Sequence, residues 1–186
     1  VIEIEALPEA MATDQRFVEG ITDLVNRVYE TAEAGLWVPG ATRTTSIEMR
    51  EMIAAGQIAV ARISGQMVGC IRIKQLDDRV GEFGLLAARP DHRGEGIGRA
   101  LVRFAEDRSR QHGLAVMQLE LLMPRGWSHP VKDFLHAWYT RIGYQPVRKG
   151  SIEESYPHLA PLLATPCDLV AYHKRFILQR RRESMA

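Results

Sequence analysis

Eight consecutive residues, His92, Arg93, Gly94, Glu95, Gly96, Ile97, Gly98 and Arg99, combine three glycines with two arginines between an apolar stretch and an amphipathic one. The arrangement suits phosphate binding. A helix N-terminus leaves backbone N–H groups without partners and its dipole favours an anion, while glycines let the chain approach a ligand with no side chain between. The spacing restricts which phosphate. A dinucleotide site needs GxGxxG, whereas Gly94, Gly96 and Gly98 give GxGxG, and no GxxxxGK[ST] segment serves a nucleoside triphosphate. By themselves the glycines are equally consistent with a tight strand-to-helix turn and nothing more.

The elements that must position this segment follow from periodicity. Residues 1–7 alternate apolar and acidic side chains as a half-buried strand does, and Ile21, Leu24, Val25 and Val28 recur at helical spacing. Breakers make 34–40 a loop, and a short second helix runs from Ser46 to near Gly56. Residues 58–63 and 67–73 read as a hairpin turning through Ser64 and Gly65, and Asp77, Asp78 and Gly81 mark the next turn. A third strand, 82–88, stops at Pro90. Ile97, Leu101, Phe104 and Ala105 share one helical face up to Gly113, so strand 116–122 must return by crossover, parallel to the strand before the glycines. A helix over 131–142 and strands over 144–148 and 168–176 complete the chain, with a short helix around 159–163 between those strands. The expected architecture is a mixed α/β sheet: an antiparallel meander, one βαβ unit and a closing hairpin with a long insertion.

Composition narrows the function. At 186 residues, 46% hydrophobic and 25% charged, the chain is expected to be a single soluble domain over 1–186 with one sizeable core. A formal net charge of +1 implies neither nucleic acid nor a membrane surface as partner; the basic tail, about 177–186 with Arg180, Arg181 and Arg182, reads as a solvated end. Cys70 and Cys167 stand alone, with neither CxxC spacing nor a histidine cluster, so no metal site and no disulfide is expected, and reduced thiols suit the cytoplasm. No apolar run reaches membrane-spanning length. The start lacks the features of a signal peptide, although residues can precede Val1, which is not an initiator Met.

The order of elements, the Arg93-x-x-Gly96-x-Gly98 spacing and the downstream run Trp138, Tyr139, Thr140, Arg141, Ile142, Gly143, Tyr144 together resemble the GNAT superfamily of acyl-CoA-dependent N-acyltransferases. The resemblance spans nearly the whole chain. It implies a GNAT-like fold with splayed central strands, acetyl-CoA as co-substrate, no metal, and a loop whose amides cradle the coenzyme A pyrophosphate: Arg93, Gly94, Gly96, Gly98 and Arg99, with Glu95 and Ile97 contributing backbone only. Beside a polyanion the Glu95 side chain must turn to solvent or pair with Arg99. Leu86, Ala87 and Ala88 are placed against the pantetheine arm, with the Leu86 amide polarising the thioester carbonyl.

The resemblance also implies roles for side chains. Glu82, four residues before Leu86, is the base that takes a proton from the amine, strengthened if it faces an apolar cleft; Tyr139 is the acid that protonates the leaving thiolate. Where many relatives carry an asparagine and a small residue on the Tyr139 helix, this chain has Lys132 and Leu135, and Asp133 and His136 read as solvated or capping. Glu33, Trp37, Trp127 and Tyr156, from three variable segments, are the expected acceptor contacts, their acidic and aromatic character suiting a cationic amine as well as plain surface. The implied activity is N-acetylation of a primary amine, of a small molecule rather than a protein, by direct attack in a ternary complex. A protein N-acetyltransferase, a non-catalytic acyl-CoA sensor and a purely structural domain are the alternatives. A second copy of the chain is the protein partner that the family's frequent homodimers imply.

Overall fold

The molecule is built on a seven-stranded mixed sheet in the order β1-β2-β3-β4-β5-β7-β6. The computed structural model describes residues 1–177; the basic tail at 178–186 lies outside the described residues. The strands are β1 Ile2–Ala6, β2 Ile58–Ile63, β3 Gln66–Gln75, β4 Val80–Ala88, β5 Val116–Pro124, β6 Gln145–Ser151 and β7 Cys167–Arg175. The helices are α1 Gln15–Ala32, α2 Ser46–Ala54, α3 Ile97–Gln111, α4 Pro130–Arg141 and the single turn α5 Ile152–Ser155.

Local chemistry sets most of these boundaries. The Asp14 side chain caps α1 by accepting from the Phe17 amide at 3.0 Å. Thr45 and Glu48 form a reciprocal capping box at the start of α2. Ser64 and Gly65 both take positive φ, 50° and 77°, the pattern of a tight hairpin turn whose twist matches its strands. One expected boundary moves. The Asp77 side chain accepts from the amides of Arg79 and Val80, so the turn is already closed there and Gly81 lies inside β4. A Cβ on Gly81 would come within 2.9 Å of Ser109 Oγ and 3.0 Å of Leu114, so close packing accounts for that glycine. In the 152–166 insertion the expected short helix is a 3-10 turn at Ala160–Leu162, and the single turn α5 precedes it.

Two apolar layers sandwich the sheet. Ile97, Leu101, Val102 and Ala105 of α3 pack with Phe83, Met117, Leu119 and Tyr139 on one face, and Val18, Ile21 and Val25 of α1 pack with Met49, Ile53, Val60 and Leu85 on the other. The crossover through α3 makes β4 and β5 parallel, as expected, yet they pair only at Val80↔Val116, Gly81↔Met117 and Glu82↔Gln118. Beyond that point β4 follows β3 and β5 follows β7, which pairs with it through Pro124↔Cys167, so the two central strands part. A bulge reinforces the divergence: Cys70 faces Ala87 and Arg72 faces Gly84, leaving Leu85 and Leu86 opposite Ile71 alone. Leu85 adopts φ 46°, a left-handed conformation that costs a leucine about 1–3 kcal/mol. It buries Leu85 against α1 and turns Leu86 toward the α3 layer.

Candidate active site

The parted strands open a cavity of about 1330 Å³ that runs from the glycine segment to the ends of α1 and α4. At one end, Gly94 and Gly96 take φ of 90° and 84°, and Gly96 is the N-cap of α3 with no side chain bonded to the helix start. Space beyond both glycines is open. The first turn of α3 holds no acid and does hold Arg99, the reverse of what a helix N-terminus favours by itself. These residues therefore fit an anionic ligand that completes the unpaired amides. Ile97 is buried in the core and can offer only its backbone, whereas the Glu95 carboxylate is held at 3.1 Å by His92 Nδ1, not by Arg99. Arg89 is paired with Asp91 at 2.6 Å, and Arg93 is exposed at the cavity mouth.

Along the walls, Leu86 and Ala88 line the cavity, but the Ala87 side chain is buried on the α1 side. The Leu86 amide bears on the hydroxyl of Tyr29, a residue of α1 that the sequence reading passed over; burial, outweighing Arg43 and that amide, pushes this phenol up to about 12. Tyr139 of α4 also lines the cavity, packed between Phe83, Trp138 and Tyr144, and its hydroxyl is raised strongly, by burial first and by Tyr29 second. It therefore carries its proton at any physiological pH. Tyr29 and Tyr139 come from opposite faces of the sheet and sense one another where the strands part.

Two carboxylates face the gap. Glu82 sits at the last position where β4 pairs with β5, with one oxygen 2.9 Å from Lys74 Nζ and the other accepting from Gln118 Nε2 at 2.7 Å. Gln118 Oε1 in turn accepts from His173 Nε2 at 2.8 Å. The surroundings of Glu82 are thus polar, so the condition for strengthening it as a base, an apolar cleft, is not met, because β3 and β5 place hydrogen-bonding side chains on either side. Glu120, two residues beyond Gln118 and so on the same face of β5, was missed. Its carboxylate accepts from the Tyr156 hydroxyl at 2.7 Å and lies 3.4 Å from Arg148. One signal was available: Gln118 and Glu120 interrupt what a strand covered on both faces would show as a continuous apolar run.

The far wall differs most from expectation. Glu33, 5% exposed, binds Lys132 Nζ at 2.6 Å and accepts from Trp37 Nε1 at 2.6 Å. Glu33 and Trp37 therefore satisfy one another rather than standing free for an acceptor. Burial pushes the Glu33 carboxyl up, but Lys132 and then Arg43 outweigh it and hold it below the usual carboxylate range. For Lys132, burial draws the ammonium down and Arg43 adds repulsion, against the attraction of Glu33. We take the pair as ionised, because a 2.6 Å contact reinforced by Trp37 and Arg43 favours the carboxylate. Lys132, noted only as a departure in sequence, thus ties α4 to the end of α1, assisted by His129 Nε2 donating to the Ala34 carbonyl at 3.1 Å. Trp127 is not on this wall. It packs on His129, donates to Thr165 and lies against Gly35, outside the cavity. Tyr156 does line it. Asp133 is exposed and accepts from Ser128 Oγ just ahead of α4, whose N-cap carries no side-chain hydrogen bond, and His136 bonds Tyr172 at 2.7 Å.

Both cysteines are free and buried, and burial pushes Cys70 up to about 12 and Cys167 to about 11, so neither thiol is a ready nucleophile. Among the described residues no group of three or more His, Cys, Asp or Glu could hold a metal ion, and no helix is long and apolar enough to cross a membrane.

Comparison with known proteins agrees with this geometry. No curated protein matches the chain in sequence. Among solved structures it is similar to the PaiA N-acetyltransferase of Thermoplasma acidophilum in complex with coenzyme A, at 15% identity and TM-score 0.70 over 95% of this chain and 99% of that one. It is similar also to a ribosomal-protein-alanine N-acetyltransferase of Brucella melitensis, at 16% identity and TM-score 0.66 over 94% and 99%. A third is Rv2747 of Mycobacterium tuberculosis, solved with CoA and NLQ, at 16% identity and TM-score 0.64 over 94% and 99%. At these identities the likeness establishes the fold. The sequence model of the acetyltransferase (GNAT) family matches residues 22–144, from within α1 to the turn after α4, and the chain belongs to that family.

Proposed function

We propose that this chain transfers the acetyl group of acetyl-CoA to a primary amine, of a small molecule rather than a protein, by direct attack with both substrates bound. The observation that carries the reading is the parting of β4 from β5 beyond Glu82, which puts the uncapped start of α3, Tyr139 and two carboxylates in one cavity. Acetyl-CoA supplies an activated acyl group as a thioester. The amides of Gly94 and of 96–99, with Arg93 and Arg99, hold its pyrophosphate, the expected Glu95 amide being already donated to the His92 carbonyl at 3.3 Å, and the edge of β4 at Leu86 and Ala88 meets its pantetheine arm.

The chain's remaining task is moving protons. An alkyl amine is mostly protonated at neutral pH, with a pKa of about 10, and must lose a proton before it can attack. Glu82 accepts it, directly or through water, from its place where the strands separate; Glu120, across the gap, is the second carboxylate in reach of the same space. Tyr139 returns a proton to the departing sulfur. No thiol takes part, since Cys70 is buried on the α1 side of the sheet. A pinned acceptor wall, closed by the Glu33–Lys132 pair and by Tyr156, favours a compact acceptor over a protein surface. Cytoplasmic location belongs to the same proposal, resting on two free cysteines.

The test is calorimetric titration with acetyl-CoA, followed by thiol release over a panel of amines. Binding with thiol release supports the reading. Absence of binding overturns it, and binding without release from any amine assigns the chain to the acyl-CoA sensors.

A further inference from the structure

Arg43 is a cation of the cavity that the mechanism does not use. It lies near the end of the loop between α1 and α2 and lines both the main cavity and a smaller one. Its guanidinium lies over the Tyr29 ring, 4.9 Å from the centroid, and forms no salt bridge among the described residues. The carboxylate that bears on it most, Glu33, is already bonded by Lys132 and Trp37. The other acids on that wall are Glu48, which is committed to Thr44 and Thr45 in the capping box, and Glu51, which forms no ion pair among the described residues.

The backbone that follows it is held in place. The Asn26 side chain donates to the Thr44 carbonyl at 2.9 Å and accepts from the Thr44 amide at 3.0 Å, and the next residue, Thr45, caps α2. A long, exposed cation beside a fixed residue, stacked on an aromatic ring and facing only a carboxylate that is already bonded elsewhere, is prepared for an anion. Tyr156 relates it to the reaction: its hydroxyl is bonded to Glu120 and it senses Glu120, Glu82 and Arg43 together.

Resting on the acetyl-transfer reading above, we infer that Arg43 binds a carboxylate of the acceptor, so that the acceptor is a small amino-carboxylate whose amine lies toward Glu82 and Glu120. A guanidinium presents paired N–H donors that match a carboxylate.

The experiment compares free α-amino acids with their α-carboxamides, and adds β-alanine and γ-aminobutyrate to vary the spacing. Binding to protein saturated with coenzyme A is measured by calorimetry, and thiol release from acetyl-CoA is measured separately. The wild type is expected to prefer at least one free acid over its amide by about 10- to 100-fold in Kd and in kcat/KM. Arg43→Gln should bring that ratio to about one, Arg43→Lys should restore part of it, and acetyl-CoA affinity should hold in both. A wild-type ratio near one, or a ratio that Arg43→Gln leaves intact, overturns the inference, as does failure of every acid to bind. Arg43-dependent binding of an acid without thiol release keeps the carboxylate site and overturns acetyl transfer. Thiol release from acids and amides at equal rates does the reverse.

Discussion

Replacing Lys132 with Met tests the reasoning about the far wall most sharply. The substitution keeps the length and apolar stem of the side chain and removes only the ammonium that lies 2.6 Å from Glu33, at a site where both residues are 5% exposed or less. Breaking one half of a buried ion pair costs about 3–5 kcal/mol, because the remaining charge is stranded. Trp37 and Arg43 still face Glu33, so the lower end, about 3 kcal/mol, is expected. For a domain of this size that corresponds to a fall in Tm of about 6–12 °C at pH 7. The pH dependence carries the cause. In the wild type the folded-state Glu33 is held below its unfolded value, so its contribution is complete above the unfolded value and is lost only as pH falls through the lower folded one. Without Lys132, burial dominates and the folded value lies above the unfolded one, so a penalty develops as pH rises through that interval. The Tm deficit of Lys132→Met should therefore shrink between pH 7 and pH 5. Adding Glu33→Gln should recover much of the loss and flatten its pH dependence. Thermal melts across that range decide it: a deficit of equal size at both pH values, or one that Glu33→Gln deepens, refutes a stranded Glu33 charge.

Glu82→Gln should lower kcat by about 100-fold with acetyl-CoA affinity little changed in calorimetry, and a full rate across pH 6 to 9 would move the base to Glu120 or to water. Tyr139→Phe should also lower kcat by about 100-fold, while an unchanged rate of thiol release would leave the tyrosine a packing role only. Gly96→Val forces a β-branched residue to φ 84° and sets a side chain before the α3 amides, so calorimetry should detect no acetyl-CoA binding while circular dichroism stays native; retained binding would place the pyrophosphate elsewhere. Gly69→Ala would bring a Cβ within 2.8 Å of the Ala87 carbonyl and 2.9 Å of Ile97, costing about 1–3 kcal/mol, and an unshifted Tm would mean that α3 yields without strain.

Several features were legible in the sequence because their causes lie within a few residues of one another. The glycine spacing at 94, 96 and 98 requires only that a strand end and a helix begin, and the hairpin at Ser64 and Gly65 and the crossover of α3 follow from alternation, helical stripes and turn chemistry, whereas the insertion of β7 between β5 and β6 is set by long-range pairing. The family was readable for the same reason. The gap between β4 and β5 was expected only through that resemblance; its extent depends on each strand keeping a different outer partner after Glu82↔Gln118. What the walls of the gap contain was decided by tertiary structure. Glu33 and Lys132 stand 99 residues apart, and each looked like surface or a departure until the fold brought them to 2.6 Å. The same holds for Glu120 with Tyr156, for Tyr29 beneath Arg43, and for Trp127, whose aromatic character suited a binding wall although its position is outside one. Periodicity reports which side of an element is buried, and it carries no information about which distant side chain shares that space. The donor end of the cavity is written in a local run of backbone, whereas the acceptor end exists only where loops and strands far apart in sequence meet.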